Sequence, residues 1–496
     1  MPAPKALLSP RRGVVGWKSR TAFRRMLLVF IGMATVGLVI WGRPATVELD
    51  AAQAGDSSLP GSMHVQGKLS VQDEDSQRAG VDTESEPDPP QKVPFALNTT
   101  AVLVPPETLP SSPDACAEAR GIPKVALLFL TRGDLYLSPA WRLWFQSAAG
   151  VVPRTAARCS GVSSEAVRAD CPGPGPTAAL DLPDERMIDA QHLFTAYVHA
   201  PPSVNASEIQ PLFRDRLIAA RTETSWGSIN LVYAARLLLW EAFRDPANTR
   251  FVLLSESDIP LYDARTFHHQ LMQETLSKTS ACPATAQDKY RWNKAMRSDR
   301  LGIRHWRKAS QWFMLTREHA KVVLEDVHVF KQFEAYCYSG WDPDINKWRN
   351  CYSDEHYLAT LFAVHGLQQT ENCDVWGVAA VDWGHGGAHP RSYAAEETTA
   401  DLVHAIRTRH PCQPVAAMEA AQPYYEVLDA NRPLEPLSDA QCRKEATRSG
   451  KELPAVCSLT ARKFPKSTAE AVRNVFVGCD ERLQLVDPGL CQIPLK

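Results

Sequence analysis

Apolar positions first gather into one unbroken block. Residues 26–42 run MLLVFIGMATVGLVIWG, 17 uncharged and mostly apolar residues. That is the short end of the ~17–25 residues that cross a bilayer as a helix. Upstream lie Lys5, Arg11, Arg12, Lys18, Arg20, Arg24 and Arg25, with no acid. Positive charge on that side predicts a cytoplasmic tail (1–25), a transmembrane signal-anchor (26–42) and a lumenal remainder, with Trp41 at the interface. A cleaved signal peptide is the rival, weakened by the long basic region and the lack of an A-x-A site. An organelle transit peptide stays open, because no acid precedes Glu48. Residues 43–120 then lose apolar patterning and fill with Pro, Ser, Asp and Glu, a composition that cannot offset chain entropy. They read as a disordered acidic stem.

From Lys124 the pattern becomes that of a folded domain, taken as 121–496. KVALLFL (124–130) reads as a buried strand, and Ser138-Pro139 as an N-cap and first helical position. Residues 151–190, rich in Gly and Pro and carrying Cys159 and Cys171, read as a surface insertion. FTAYVHA (194–200), FVLL (251–254) and SQWFML (310–315) read as strands; 225–243 and REHAKVVLED as helices, the latter capped by Thr316. Strands alternating with helices predict an α/β sheet.

Composition narrows this. The 496 residues carry a formal net charge of -2, so no basic field points to nucleic acid. Hydrophobic residues at 44% and charged residues at 22% exclude a wholly disordered or polytopic membrane chain. The first of the 12 Cys is Cys116, so all fall on the proposed lumenal side, which suits disulfides. A Cys337–Cys351 bond is expected, closing the loop just before a helix. The sequons at Asn98 and Asn205 are candidate glycosylation sites.

Candidate chemistry gathers at strand ends, where open α/β sheets bind ligands. Glu256 and Asp258 match an acidic pair for Mg²⁺ or Mn²⁺. A capping role is the plainer alternative, since two acids do not fill an octahedral shell. The D-x-D of Asp342 and Asp344 lies in a polar, Trp-containing stretch and reads as a chance short match. His385 and His389 flank glycines and precede Pro390, which makes a loop and not a zinc-binding helix face. Ser353 reads as an N-cap, putting Asp354 and Glu355 in a first turn where the helix dipole favours carboxylates. The alternatives there are dipole compensation and a general base toward a hydroxyl. Lys289, Arg291, Lys294, Arg297, Arg300, Arg304, Arg307 and Lys308 form a basic cluster, and Arg462-Lys463 a second. Each either neutralises a phosphate or acidic sugar, or is a solvated surface.

The segments VALLFLTRG, YVHAPPS, ETSWGSINLVYAARLLL, FVLLSESDIPLYD, WRKASQWFMLTREHA, CYSDEHYLAT, VDWGHGGAHP and ARKF occur in that order. In this the chain resembles the core-2/I-branching β-1,6-N-acetylglucosaminyltransferase family (glycosyltransferase family 14), in its plant and algal branch. The resemblance runs from about Lys124 to Phe464 and excludes the insertions near 159–180 and 338–350 and the last thirty or so residues. It implies an α/β fold, a GT-A-like nucleotide-sugar-binding mixed sheet flanked by helices, on a single-pass anchor in the Golgi membrane. It implies inverting transfer of N-acetylglucosamine, else xylose or glucuronic acid, from a UDP-sugar to a glycan or glycoprotein hydroxyl. Glu355 maps onto the family's base, and Lys463, with Arg462 beside it, onto the cation facing the donor diphosphate. His199, Trp226, Gly227 and Asp258 match donor-side segments, although several plant-branch members differ at Asp258. Glu256, Arg307 and Trp312 fall on the acceptor side. No divalent metal or other cofactor is expected. A non-catalytic lumenal sugar-binding or scaffold protein on the same fold is the rival from another class.

Overall fold

The computed structural model describes residues 114–159, 175–283, 286–343, 345–367, 378–387, 389–412, 424–428, 434–449 and 457–492. The chain divides into two units, 1–83 and 84–496. The first unit, and with it the tail, the 26–42 anchor, most of the stem and Asn98, lies outside the described residues, as does Asp344. Among the described residues no helix is long and apolar enough to cross a membrane.

The elements that position the site are, in chain order, helix α1 (Ala115–Arg120), strand β1 (Lys124–Leu130), α2 (Ser138–Ser147), β2 (Phe194–His199), α3 (Ile229–Phe243), β3 (Asn248–Ser255), β4 (Ile259–Pro260), α4 (Ala264–Gln273), β5 (Met314–Thr316), α5 (Arg317–Glu325), β6 (Gly340–Asp342), β7 (Lys347–Arg349), α6 (Ser353–Val364), β8 (Ala379–Ala380) and β9 (Thr460–Ala461). The main sheet has the order β2-β1-β3-β5. β1 pairs parallel with β2 and β3, and β5 closes the edge antiparallel to β3. This is the mixed α/β sheet that the alternation of patterns predicts.

KVALLFL is apolar at every position because both faces are covered. Val125, Leu127 and Phe129 face a core with Trp141, Trp144 and Phe145 of α2 and Phe267 of α4. Ala126, Leu128 and Leu130 face a second core with α3, α5 and α6. Trp144, fully buried, also donates its indole N–H to Tyr262 O at 2.8 Å, satisfying its one polar atom.

Several boundaries differ from the sequence expectation, each for a local reason. The stem ends earlier than composition suggests: α1 is folded, Cys116 and Ala117 are buried, and Asp114 Oδ1 accepts the Ala117 N–H at 3.0 Å. Ser138 is the first helical residue and not the cap; its N–H bonds to Leu135 O, so the preceding turn supplies the cap. Helix α3 begins only at Ile229, because 225–228 form a turn with Gly227 at φ 71°. Residues 310–313 are irregular ahead of the three-residue β5. The Gly/Pro-rich insertion is partly ordered: Val151–Pro153 pairs with Tyr425–Val427, and Cys159 is bonded to Cys442. Thr316 caps α5 as expected, accepting from His319 N. Gly366, at φ 68°, ends α6.

A small second sheet matters more than its size. β9 pairs parallel with β8 and antiparallel with β4. It carries the residues just before Arg462 to the strand just after Asp258.

Candidate functional site

Two charged centres lie at the ends of the segment 307–313. The first is at the start of α6. Ser353 is its first helical residue, and the hydroxyl donates to Cys337 O at 3.3 Å and does not cap the helix. Glu355 therefore stands in the first turn, as expected. Its Oε2 is held by Arg291 Nη1 at 3.2 Å and Lys308 Nζ at 3.3 Å. Oε1 carries no hydrogen bond among the described residues. Ala309 N–H bonds to Glu355 O at 2.8 Å, tying the segment to the helix. The basic cluster is thus in part a clamp on Glu355, a role that sequence reasoning missed. Its signal was the alternation of bulky aromatic and basic positions, which only a fold turns into direction.

Asp354, next to it, lives differently. Its Oδ1 is buried without a hydrogen-bond partner and opens on a cavity of about 30 Å³ between α3 and α6. Burial, and then the charge of Glu355, push its pKa up to about 7.

The Trp226–Gly227 turn packs on the same helix start. Gly227 O accepts from Ser353 N at 2.8 Å. A Cβ at Gly227 would fall 2.7 Å from Tyr352 Cδ1, so both its positive φ and this contact require glycine. Trp226 is exposed, with its ring 4.5 Å from Tyr352 and 5.5 Å from His389. The guanidinium of Arg291 lies over the other aromatic partner, Tyr352, at 4.9 Å.

The second centre is at the end of β3. Asp258 is fully buried, and its Oδ2 accepts from Ser255 N at 2.9 Å and Ser255 Oγ at 2.5 Å. Arg462 Nε stands 3.7 Å from Oδ2, an ion-pair distance. Desolvation pushes the Asp258 pKa up, while Arg462 and the Ser255 bonds pull it down; the upward push wins. The Arg462 guanidinium lies 4.4 Å over the Trp312 ring. Arg462 N–H bonds to Ala380 O, and Phe464 N–H to Ser257 O, so the ARKF segment is stitched on both sides. Lys463 is half-buried beside it, and its carbonyl accepts from Tyr393 N.

Not every expected residue faces a cleft. His199 is wholly buried, with Nε2 accepting from Thr222 N at 3.1 Å and its pKa lowered by burial to about 4. A neutral imidazole there shapes the 199–222 loop. Trp312 is spent under Arg462 and offers little free face. The Arg307 side chain turns back to Arg304 O and Trp306 O, while its own carbonyl bonds His356 Nδ1. Glu256 pairs with Arg132 at 3.6 Å, and Asp258 faces a cation, so the two acids do not converge. Asp342 pairs with Arg349 across its hairpin. Asn205 is exposed, and its sequon opens a short turn. The cluster of Asp114, Cys116 and His192 is met by the Lys124 ammonium, 3.1 Å from Asp114, and by a disulfide at Cys116. Those are structural partners and not metal chemistry.

Cys337 and Cys351 are disulfide-bonded, as expected, with Cα atoms 5.1 Å apart. Cys159–Cys442, Cys412–Cys457 and Cys479–Cys491 are bonded too, and no described cysteine is free.

The profile of the Core-2/I-Branching enzyme family matches residues 178–407. The chain is also similar to a rice (Oryza sativa subsp. japonica) protein named Glycosyltransferase BC10, 31% identical over 301 residues, which are 56% of this chain and 68% of the relative. The chain belongs to the Core-2/I-Branching enzyme family. By family it is a glycosyltransferase, and the plant branch suggested by the sequence order is the one the rice relative occupies. The match spans β2 to β8 and so holds Glu355 and its clamp together with Asp258. Arg462 and Lys463 fall beyond it and come to the site through β9.

Proposed function

We propose that this protein is an inverting glycosyltransferase that moves a sugar from a UDP-sugar to a hydroxyl of a glycan or glycoprotein. The observation that carries the reading is the state of Glu355: Oε2 pinned by two cations, Oε1 uncommitted, at a helix start. Oε1 takes the proton of the acceptor hydroxyl as that oxygen attacks the anomeric carbon. Charge then grows on the departing diphosphate. Lys463 meets it, with Arg462 held in place by Asp258 and Trp312. A preset cation in a half-buried site stabilises that charge without reorganising. N-acetylglucosamine is the first candidate donor sugar, with xylose and glucuronic acid next. The apolar 26–42 block and the disulfides support an anchored enzyme with its head in an oxidising lumen, that of the Golgi.

The test is a screen of UDP-sugar hydrolysis and transfer by the purified protein. Glu355→Gln keeps the shape and removes the base; the rate should fall ~10²–10⁴-fold with UDP affinity unchanged. Lys463→Ala should weaken UDP binding as well as turnover. Transfer should survive EDTA. Full inactivation by chelator, restored by Mn²⁺, would overturn the metal-free reading. Unaltered turnover in Glu355→Gln would remove the base assignment, and a silent screen would favour the non-catalytic sugar-binding reading.

A further inference from the structure

The hairpin β6–β7 lies between Cys337 and Cys351 and places its side chains in an unusual way. Trp341 and Trp348 are direct cross-strand partners, so they share one face. That face is solvent: the two rings are 59% and 50% exposed. Alternation sends Gly340 and Arg349 to the other face, where Arg349 is 5% exposed and donates to Trp292 O. A two-stranded hairpin is marginal alone. Here the disulfide and the buried Arg349 hold it open against solvent. Two indoles held rigidly outward are costly to leave uncovered.

Beside them is a cavity of about 170 Å³, lined by Asn293, Tyr338, Trp341, Asp342 and Arg349. A water's share of liquid volume is ~30 Å³, so it has room for several waters or for the hydroxyl groups that replace them. Its lining is polar, and the buried Arg349 Nε has no hydrogen-bond partner. Asn293 is two residues from Arg291, which pairs with Glu355. The hairpin's closing Cys351 is four residues before Glu355. Both ends of the hairpin region are therefore only a few residues from the groups around Glu355.

We infer that this hairpin is a sugar-binding subsite that grips the acceptor glycan away from its reacting hydroxyl. The apolar faces of pyranose rings lie on Trp341 and Trp348, and ring hydroxyls enter the polar cavity that Trp341 shares with Asn293 and Tyr338. The occupant is a chain of neutral or N-acetylated pyranoses. The inference rests on the glycosyltransferase reading for what the bound chain is used for, but binding itself needs neither donor nor turnover.

The experiment is calorimetric titration of the purified protein, without UDP-sugar, with cellohexaose, xylohexaose, chitohexaose and β-1,3-galactohexaose, each against its monosaccharide. At least one hexasaccharide should bind, and its monosaccharide should bind roughly tenfold more weakly or not at all. The double variant Trp341→Ala/Trp348→Ala should raise that Kd roughly tenfold or more. Trp341→Phe/Trp348→Phe keeps the rings and should retain binding, which separates stacking from misfolding. Binding in a protein that turns over no UDP-sugar would leave the subsite standing and remove the enzyme reading. Active transfer with no hexasaccharide bound, or binding unaltered by the double Ala variant, would overturn the subsite. So would sedimentation showing a dimer that the double Ala variant dissolves, which would make the tryptophans a contact between copies.

Discussion

Glu355 and Asp258 are both carboxyl groups facing cations, at opposite ends of one seven-residue segment, yet the fold treats them in opposite ways. Glu355 is partly exposed; Lys308 reaches it from the surface, and Arg291 through a mostly buried side chain. Asp258 is sealed, with Ser255, Arg462 and the Trp312 face around it. An exposed pair gains little stability because water screens it. A buried pair whose partner is removed leaves an uncompensated charge, which costs far more. The contrast separates a group left able to exchange a proton from one fixed as a frame.

The sharpest break of that contrast is Arg462→Ala. It strands Asp258 in the core and should cost about 3–5 kcal/mol in urea unfolding. A cost below about 1 kcal/mol would mean that the pair is not sealed. Asp354 tests the boundary between the two regimes. Its folded pKa of about 7 lies above the unfolded carboxylate value, so the folded state holds the extra proton. Its stabilising share is complete below pH ~4 and is lost as pH rises through 7. Between pH 5 and 8 that loss is roughly 2–3 kcal/mol at 1.36 kcal/mol per pH unit. Asp354→Asn should flatten that part of the pH–stability curve, measured by denaturant titration at each pH; an unchanged slope would place the proton elsewhere. The smallest stability effect is expected for Lys308→Met, no more than about 1 kcal/mol. The variant should still lower kcat/KM, since Oε2 loses an anchor. A large stability loss with intact kinetics would invert the comparison.

The sheet, the start of α6, the Thr316 cap and the Cys337–Cys351 bond were legible because each rests on short-range pattern. KVALLFL needed two covered faces, and Asp354-Glu355 after Ser353 needed a helix start. The clamp on Glu355 was not legible, since Arg291 and Lys308 are separated from it by 64 and 47 residues. His199 showed the converse error. A strand-end histidine is a fair ligand candidate, but burial and the Thr222 N–H decide its role. Trp312 misled in a similar way, because its face is taken by Arg462. The Trp341–Trp348 hairpin looked like an unremarkable polar insertion, since cross-strand register is invisible in composition.

The β4–β9 pairing also has a consequence in time. Thr460, which bonds Asp258, follows it by 202 residues, and Phe464, which accepts from Tyr136, follows that residue by 328. At ~5–20 residues per second of synthesis, the β3 end waits about 10–40 s for its partner strand. The nascent chain cannot complete the site in that interval, however well the main sheet has formed. A chain ending before residue 460 would lack β9 and, with it, Arg462, Lys463 and part of the core that packs on β1.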